Sequence, residues 1–214
     1  MVDTEHLKFL SWQEALATQN IEFTIEEYMP LVGHSSINIL KMIEQSKGLQ
    51  LSNEIIDIKN AIYIELQKQG VDPIQPMVDF ARSLSKNKQQ LGIKLGLASS
   101  ANQDEILINL KQIGLENAFD LIISGTDDLD DYTDAEGKNK PKPYIYIESA
   151  KRLGTRPCSC LVFEDTQAGV SAAADAGMYV IAVPNLFTIN QDFTKATKVI
   201  PNYYDLPNIE VFQR

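Results

Sequence analysis

From residue 93 onward the chain alternates short apolar runs with amphipathic stretches, and that alternation limits its fold more than any other feature. Ile93-Lys94-Leu95-Gly96-Leu97-Ala98 reads as a buried strand and is followed by a helix from about Asn102, with Ile106, Leu107, Leu110 and Ile113 inward and Gly114 as its stop. A strand at Leu121-Ile122-Ile123, a helix from Tyr144 to Leu153, a strand at Leu161-Val162-Phe163, a helix from about Thr166 to Ala176 and a strand from Tyr179 to Val183 follow. Strand and helix repeating at this spacing predict an α/β fold, a parallel sheet with helices on both faces. Such sheets bind ligands beyond the carboxyl ends of their strands, where Ser99, Asp165 and Pro184 fall.

Residues 5–86 read differently, as helices throughout. Phe9, Leu10, Trp12, Ala15 and Leu16 share one helical face; Ile37, Leu40 and Ile43 form another stripe; Asn53 to Gln69 is a third helix closed by Gly70. The longest apolar runs, such as Cys160-Leu161-Val162-Phe163, are too short to cross a bilayer, and the N-terminus carries no secretory signal pattern. The expectation is a cytoplasmic protein with no membrane partner. Cys158 and Cys160 are the only cysteines, a poor zinc pattern that is consistent with a reduced compartment.

The 214 residues carry a net charge of −10, which excludes the basic footprint of nucleic-acid binding. A protein this negative must invert its local charge with a metal, a lysine or a helix N-terminus if it is to bind an anion. Three local patterns supply these. Ser99-Ser100-Ala101-Asn102 puts hydroxyls and free backbone N–H groups where a strand gives way to a helix, although Ser and Asn are also ordinary helix caps. Lys140-Pro141-Lys142-Pro143 stiffens the approach to a helix and holds a lysine in place, with Lys140 and Lys142 competing for the role. Glu164-Asp165-Thr166-Gln167-Ala168-Gly169 places two carboxylates at a strand end, hard oxygen donors suited to Mg²⁺; Asp165 could instead only cap the following helix. The acidic loop from Asp127 to Glu136 lacks the ligand spacing of a calcium loop and reads as a solvated surface loop.

In order, a strand-end Ser, Lys-Pro-x-Pro and Glu-Asp-x-x-Ala-Gly resemble the haloacid dehalogenase superfamily, in particular the subgroup containing β-phosphoglucomutase and sugar-phosphate phosphatases. The resemblance covers nearly the whole chain. It implies a Rossmann-like α/β core with a helical cap inserted near the N-terminus: residues 1–15 as the start of the core and hinge, 16–80 as the cap and 81–214 as the core. It implies phosphate binding by Ser99, Ser100, Asn102 and Lys140, with Ser99 and Lys140 catalytic, and Mg²⁺ held by Glu164 and Asp165. Substrate contacts from the cap would come from Lys8 and the loop Gly33-His34-Ser35-Ser36. The implied reaction is two-step phosphoryl transfer from a small phosphorylated metabolite, such as a sugar phosphate, through an aspartyl-phosphate.

Several departures from the family pattern bear on this. The family's first motif, an apolar strand ending in Asp-x-Asp-Gly, should stand immediately before Val2-Asp3-Thr4-Glu5, where this chain has Met1 alone. The expectation is therefore that the nucleophile strand lies upstream, and that the chain as given is inactive or a non-catalytic phospho-ligand binder. Tyr144 stands where relatives usually carry Asp after the second Pro. Ser36 and Lys8 replace the basic residue and the histidine of β-phosphoglucomutase-like proteins, which favours a phosphatase over a phosphomutase. A monomer or weak homodimer is expected.

Overall fold

The computed structural model describes residues 1–212, with two compact units: Val2–Pro73, and Met1 together with the chain from Ile74 onward. The first unit is helical. Its α1 (Thr4–Ala17) starts at Asp3, whose carboxylate accepts the His6 N–H at 3.1 Å, and buries Leu7, Phe9, Trp12, Ala15 and Leu16. A four-residue helix, α2 (Ile25–Tyr28), opens with a capping box between Thr24 and Glu27. Next come α3 (Ser36–Lys47) and α4 (Glu54–Gln69), and α1 packs on α4. On α3 the inward residues are Ile39, Leu40 and Ile43, while Ile37 is 57% exposed in the first turn.

The second unit begins with α5 (Gln75–Leu91) and continues through β1 (Gly96–Ser99), α6 (Gln103–Gln112), β2 (Leu121–Ser124) and α7 (Tyr144–Leu153). It closes with β3 (Leu161–Glu164), α8 (Gln167–Asp175), β4 (Tyr179–Ala182) and a two-residue β5 (Lys198–Val199). The division between units therefore falls at Pro73/Ile74 rather than at residue 80, and α1 belongs wholly to the helical unit. The reason lies in packing: Val78 and Ala81 of α5 bury against Ile106, Leu110, Leu115 and Ala118. Leu107 of α6 faces solvent; Ile106 and Leu110, four apart, form the inward face.

Every strand pair is parallel, as the alternation predicts, but the strands form two sheets rather than one: β1-β2 and β3-β4-β5. On one face, Leu97 and Ile122 meet the α5/α6 cluster. On the other, Ala98, Ile123, Val162, Val180 and Ala182 meet Ile145, Tyr146 and Ala150 of α7 and Val170, Ala172 and Ala173 of α8. Ser99 O accepts from Gly125 N on the β2 side, and Glu164 O accepts from Val183 N on the β4 side. Strand alternation then turns the peptide groups of Gly96 and Ala98, and of Leu161 and Phe163, toward the unpaired edges of β1 and β3. The side chains follow suit: Ile123 of β2 and Val180 and Ala182 of β4 are buried, whereas no residue of β1 or β3 is fully buried. No described helix is long and apolar enough to cross a membrane.

Candidate functional site

Lys140 is the centre of the site in the α/β unit. It lies in the loop between β2 and α7, four residues before the helix, and its ammonium donates to Glu164 Oε1 at 2.5 Å and to the Ala98 carbonyl oxygen at 3.2 Å. The carboxyl ends of β1 and β3 thus converge on one cation. Both side chains are nearly out of solvent, 11% exposed for Lys140 and 8% for Glu164. Between the two candidate lysines the structure assigns distinct positions. Lys142 points outward and pairs with Asp134 at 3.2 Å and Glu136 at 2.7 Å.

The loop that carries Lys140 is stitched down at several points. The Asn139 carboxamide lies over Gly125, where a Cβ would overlap it, and donates to the Ser100 carbonyl at 3.3 Å. Tyr144, the residue that departs from the family pattern, donates its hydroxyl to Asp134 at 2.9 Å and packs on Tyr132 with ring centroids 4.9 Å apart. The Tyr132 hydroxyl donates to Glu148 at 3.0 Å, and Arg152 ties Glu148 at 2.8 Å to Asp128 at 2.9 Å. The acidic loop is therefore less a solvated strip than a laced one. Asp127 accepts from Gln103 N at 2.7 Å, and Asp130 lies 3.5 Å from Lys138. The Arg152 hydrogen bond holds the Glu148 carboxyl below its ordinary range. Burial pushes Asp128 up, but the Ser124 N–H and Arg152 outweigh it and leave that carboxyl low as well.

At the end of β3 the two carboxylates point to different partners. Glu164 folds back over Gly169, where a Cβ would overlap its carboxylate, and Oε1 also receives the hydroxyl of buried Tyr146. Thr166, not Asp165, caps α8, accepting the Gly169 N–H at 3.0 Å. Asp165 Oδ2 accepts from Asn185 Nδ2 at 3.1 Å, and Asn185 is fixed in turn by Phe187 N and Thr188 Oγ1 at its own carbonyl. Sequence reading missed Tyr146 and Asn185, and it named Gly169 in the motif without showing that the Glu164 carboxylate lies over it.

The other candidates are distributed as follows. Ser99 ends β1, its Oγ accepting from Ala101 N at 3.2 Å, and Ser100 follows it at the surface. Asn102 is the α6 cap, its side-chain oxygen accepting from Glu105 N at 2.9 Å. In the helical unit, Gly33, His34 and Ser35 are exposed, Ser35 caps α3 through Asn38 N at 3.3 Å, and Ser36 opens that helix. Lys8 pairs with Glu5 at 2.6 Å. That unit also holds a lysine the sequence did not single out: Lys59, 8% exposed, with its ammonium 5.3 Å from the Tyr63 ring centroid and 6.0 Å from that of Trp12. Cys158 and Cys160 are free thiols flanking the entry to β3.

Among the described residues no group of three His, Cys, Asp or Glu side chains is placed to hold a metal ion. The donor chemistry at the end of β3 nonetheless fits Mg²⁺, which takes one or two carboxylates and completes its shell with water and phosphate oxygens. What the site offers is a buried cation, strand-end hydroxyls and paired carboxylates on rigid elements, an arrangement suited to holding an anion against a hard divalent metal.

Residues 1–183 match the family model for haloacid dehalogenase-like hydrolases, and the chain belongs to that family. The phosphorylated carbohydrates phosphatase of Thermotoga maritima is 28% identical over 192 residues, covering 83% of this chain and 77% of that protein. Fructose-1-phosphate phosphatase YqaB of Escherichia coli is 26% identical over 184 residues, 86% of this chain and 90% of that one. Among solved structures, a mutant of CbbY from Rhodobacter sphaeroides in complex with xylulose-(1,5)bisphosphate superposes with a TM-score of 0.74 at 21% identity, covering 100% of this chain and 95% of that one, which shows the fold.

Two outcomes are expected of the site's electrostatics. Lys140→Met strands a buried carboxylate and should destabilise the protein by about 3–5 kcal/mol in urea denaturation, whereas Lys140→Met/Glu164→Gln, which removes both charges, should recover most of that loss. Glu148 and Asp128 titrate lower folded than unfolded, so their stabilisation is full above their ordinary values of 4.5 and 3.8 and is lost as the pH falls through the depressed ones. Arg152→Met should therefore flatten the decline in stability on acidification below pH 4.5, measured by denaturant midpoints across that range.

Proposed function

We propose that this chain is the body of a Mg²⁺-dependent phosphatase that hydrolyses a small phosphorylated metabolite, such as a sugar phosphate, through an aspartyl-phosphate. The observation that carries the reading is the buried Lys140 ammonium, fixed by Ala98 and Glu164 where the ends of β1 and β3 converge beside Ser99. In a protein of net charge −10, such a cation at a strand-end site is what a phosphate ester needs. The phosphatases named above support the substrate class.

In this reading Ser99 Oγ and the N–H groups opening α6 hold the non-bridging phosphate oxygens, with Ser100 beside them and Asn102 keeping the helix start in shape. Lys140 neutralises the same oxygens as charge develops on them. Asp165, aligned by Asn185, is the principal carboxylate for Mg²⁺, which when bound supplies charge neutralisation at the phosphoryl group. Glu164 holds Lys140 as well as adding negative charge beside the metal. Ser36 and Lys8, in place of the basic residue and the histidine of β-phosphoglucomutase-like proteins, favour hydrolysis over transfer to a second hydroxyl.

The nucleophilic aspartate is assigned to a strand other than the five described, one that pairs with the open edges of β1 and β3. Those edges present the peptide groups of Gly96, Leu161 and Phe163 and the Ala98 N–H without a ladder to receive them, the Ala98 carbonyl being taken by Lys140, and such groups ordinarily pair. The test is hydrolysis of p-nitrophenyl phosphate with and without Mg²⁺, by the 214-residue chain and by a form preceded by an apolar strand ending in Asp-x-Asp-Gly. Mg²⁺-dependent turnover by the longer form alone, abolished by Asp165→Ala, is the expected result. Strong turnover by the 214 residues alone contradicts the assignment of the nucleophile; none by either form favours a non-catalytic phospho-ligand binder.

A further inference from the structure

We propose that Tyr146 is a positioning residue that fixes Glu164, and through it the Lys140 ammonium, at the end of β1. Tyr146 is the third residue of α7 and is 5% exposed, packed among the residues that close the face of both sheets. Its hydroxyl donates to Glu164 Oε1, the same oxygen that receives Lys140. Its ring lies beneath the ammonium, 5.1 Å from centroid to Nζ. One side chain thus meets both members of the ion pair, by a hydrogen bond to the anion and by its aromatic face to the cation.

Apart from this contact and Lys140, the surroundings hold Glu164 weakly. Oε2 is 3.5 Å from Thr166 Oγ1, and the carboxylate lies against the bare backbone of Gly169. Without the Tyr146 hydroxyl, Oε1 keeps Lys140 as its only donor among the described residues, and a flexible four-carbon lysine stem does not by itself fix where the pair sits. A phenylalanine would fill the same space and give the ring contact without the hydrogen bond. The hydroxyl is therefore the part of the residue that packing does not require.

The positioning is independent of turnover; only its effect on catalysis rests on the phosphatase reading. The experiment measures hydrogen exchange of the Lys140 ammonium by proton–nitrogen NMR on the intact chain, with the signal assigned by its loss in Lys140→Arg. Tyr146→Phe should accelerate that exchange by about tenfold or more, the scale expected for losing a hydrogen bond to a charged group. Tyr146→Leu, which removes the ring as well, should accelerate it further. A merely structural Tyr146 would lower the melting temperature and leave Lys140 exchange at the unsubstituted rate in both variants, and that result overturns the proposal. In the form preceded by an Asp-x-Asp-Gly strand, Tyr146→Phe should lower kcat with KM little changed. Absence of turnover there contradicts the phosphatase reading alone, while the exchange rates decide the role of Tyr146.

Discussion

The Lys140–Glu164 ion pair is the interaction on which the α/β unit's arrangement turns. Removing two charges from water costs several kcal/mol each, and mutual attraction offsets this only when the geometry is good and the remaining donors and acceptors are satisfied. Here that geometry draws on five pieces of chain. The loop before α7 brings Lys140, β3 brings Glu164, β1 gives the Ala98 carbonyl, α7 gives Tyr146, and α8 gives the space at Gly169. None of these can shift far without leaving a buried charge short of a partner. The lacing of the loop by Asn139, Tyr144 and the Tyr132–Glu148–Arg152–Asp128 network follows from the same demand, since a lysine on a loose loop would not stay buried.

The pair also divides labour between two adjacent carboxylates that look alike in sequence. Glu164 turns inward to a cation and a tyrosine; Asp165 turns to Asn185 in the loop after β4. Alternation along a strand end sends neighbouring side chains to opposite sides, so two consecutive acids meet two different environments. Under the proposed chemistry one therefore fixes the lysine while the other faces the metal. Helix capping, the competing explanation for Asp165, falls to Thr166 instead.

Much of this was legible in the sequence because it depends on local pattern. The apolar runs around Leu97, Ile122, Val162 and Val180 mark the parallel strands, and Ser99, Lys140, Glu164 and Asp165 stand at strand or loop ends whose chemistry is readable residue by residue. What was not legible depends on contacts far apart in the chain. Tyr146 reads as an ordinary inward residue of α7 until Glu164 is brought to it, and Asn185 has no local signature at all. Ile37 and Leu107 fit helical stripes yet lie exposed, because periodicity names a set of faces and tertiary packing selects the one that is covered. The boundary at Pro73/Ile74 was hidden for a similar reason: α5 is amphipathic like the helices before it, and only its packing against α6 assigns it to the second unit. The single parallel sheet expected from the alternation is two sheets, since a strand pattern specifies pairing direction and not which edges meet.

Whether Lys140 and Ser99 hold phosphate is decided by a crystal structure of the chain preceded by an apolar strand ending in Asp-x-Asp-Gly, grown with Mg²⁺ and orthophosphate. The anion is expected within hydrogen-bond distance of Lys140 Nζ and Ser99 Oγ, and the metal on Asp165, with Tyr146 still bonded to Glu164. Phosphate bound elsewhere, with Lys140 and Glu164 untouched, would contradict that expectation.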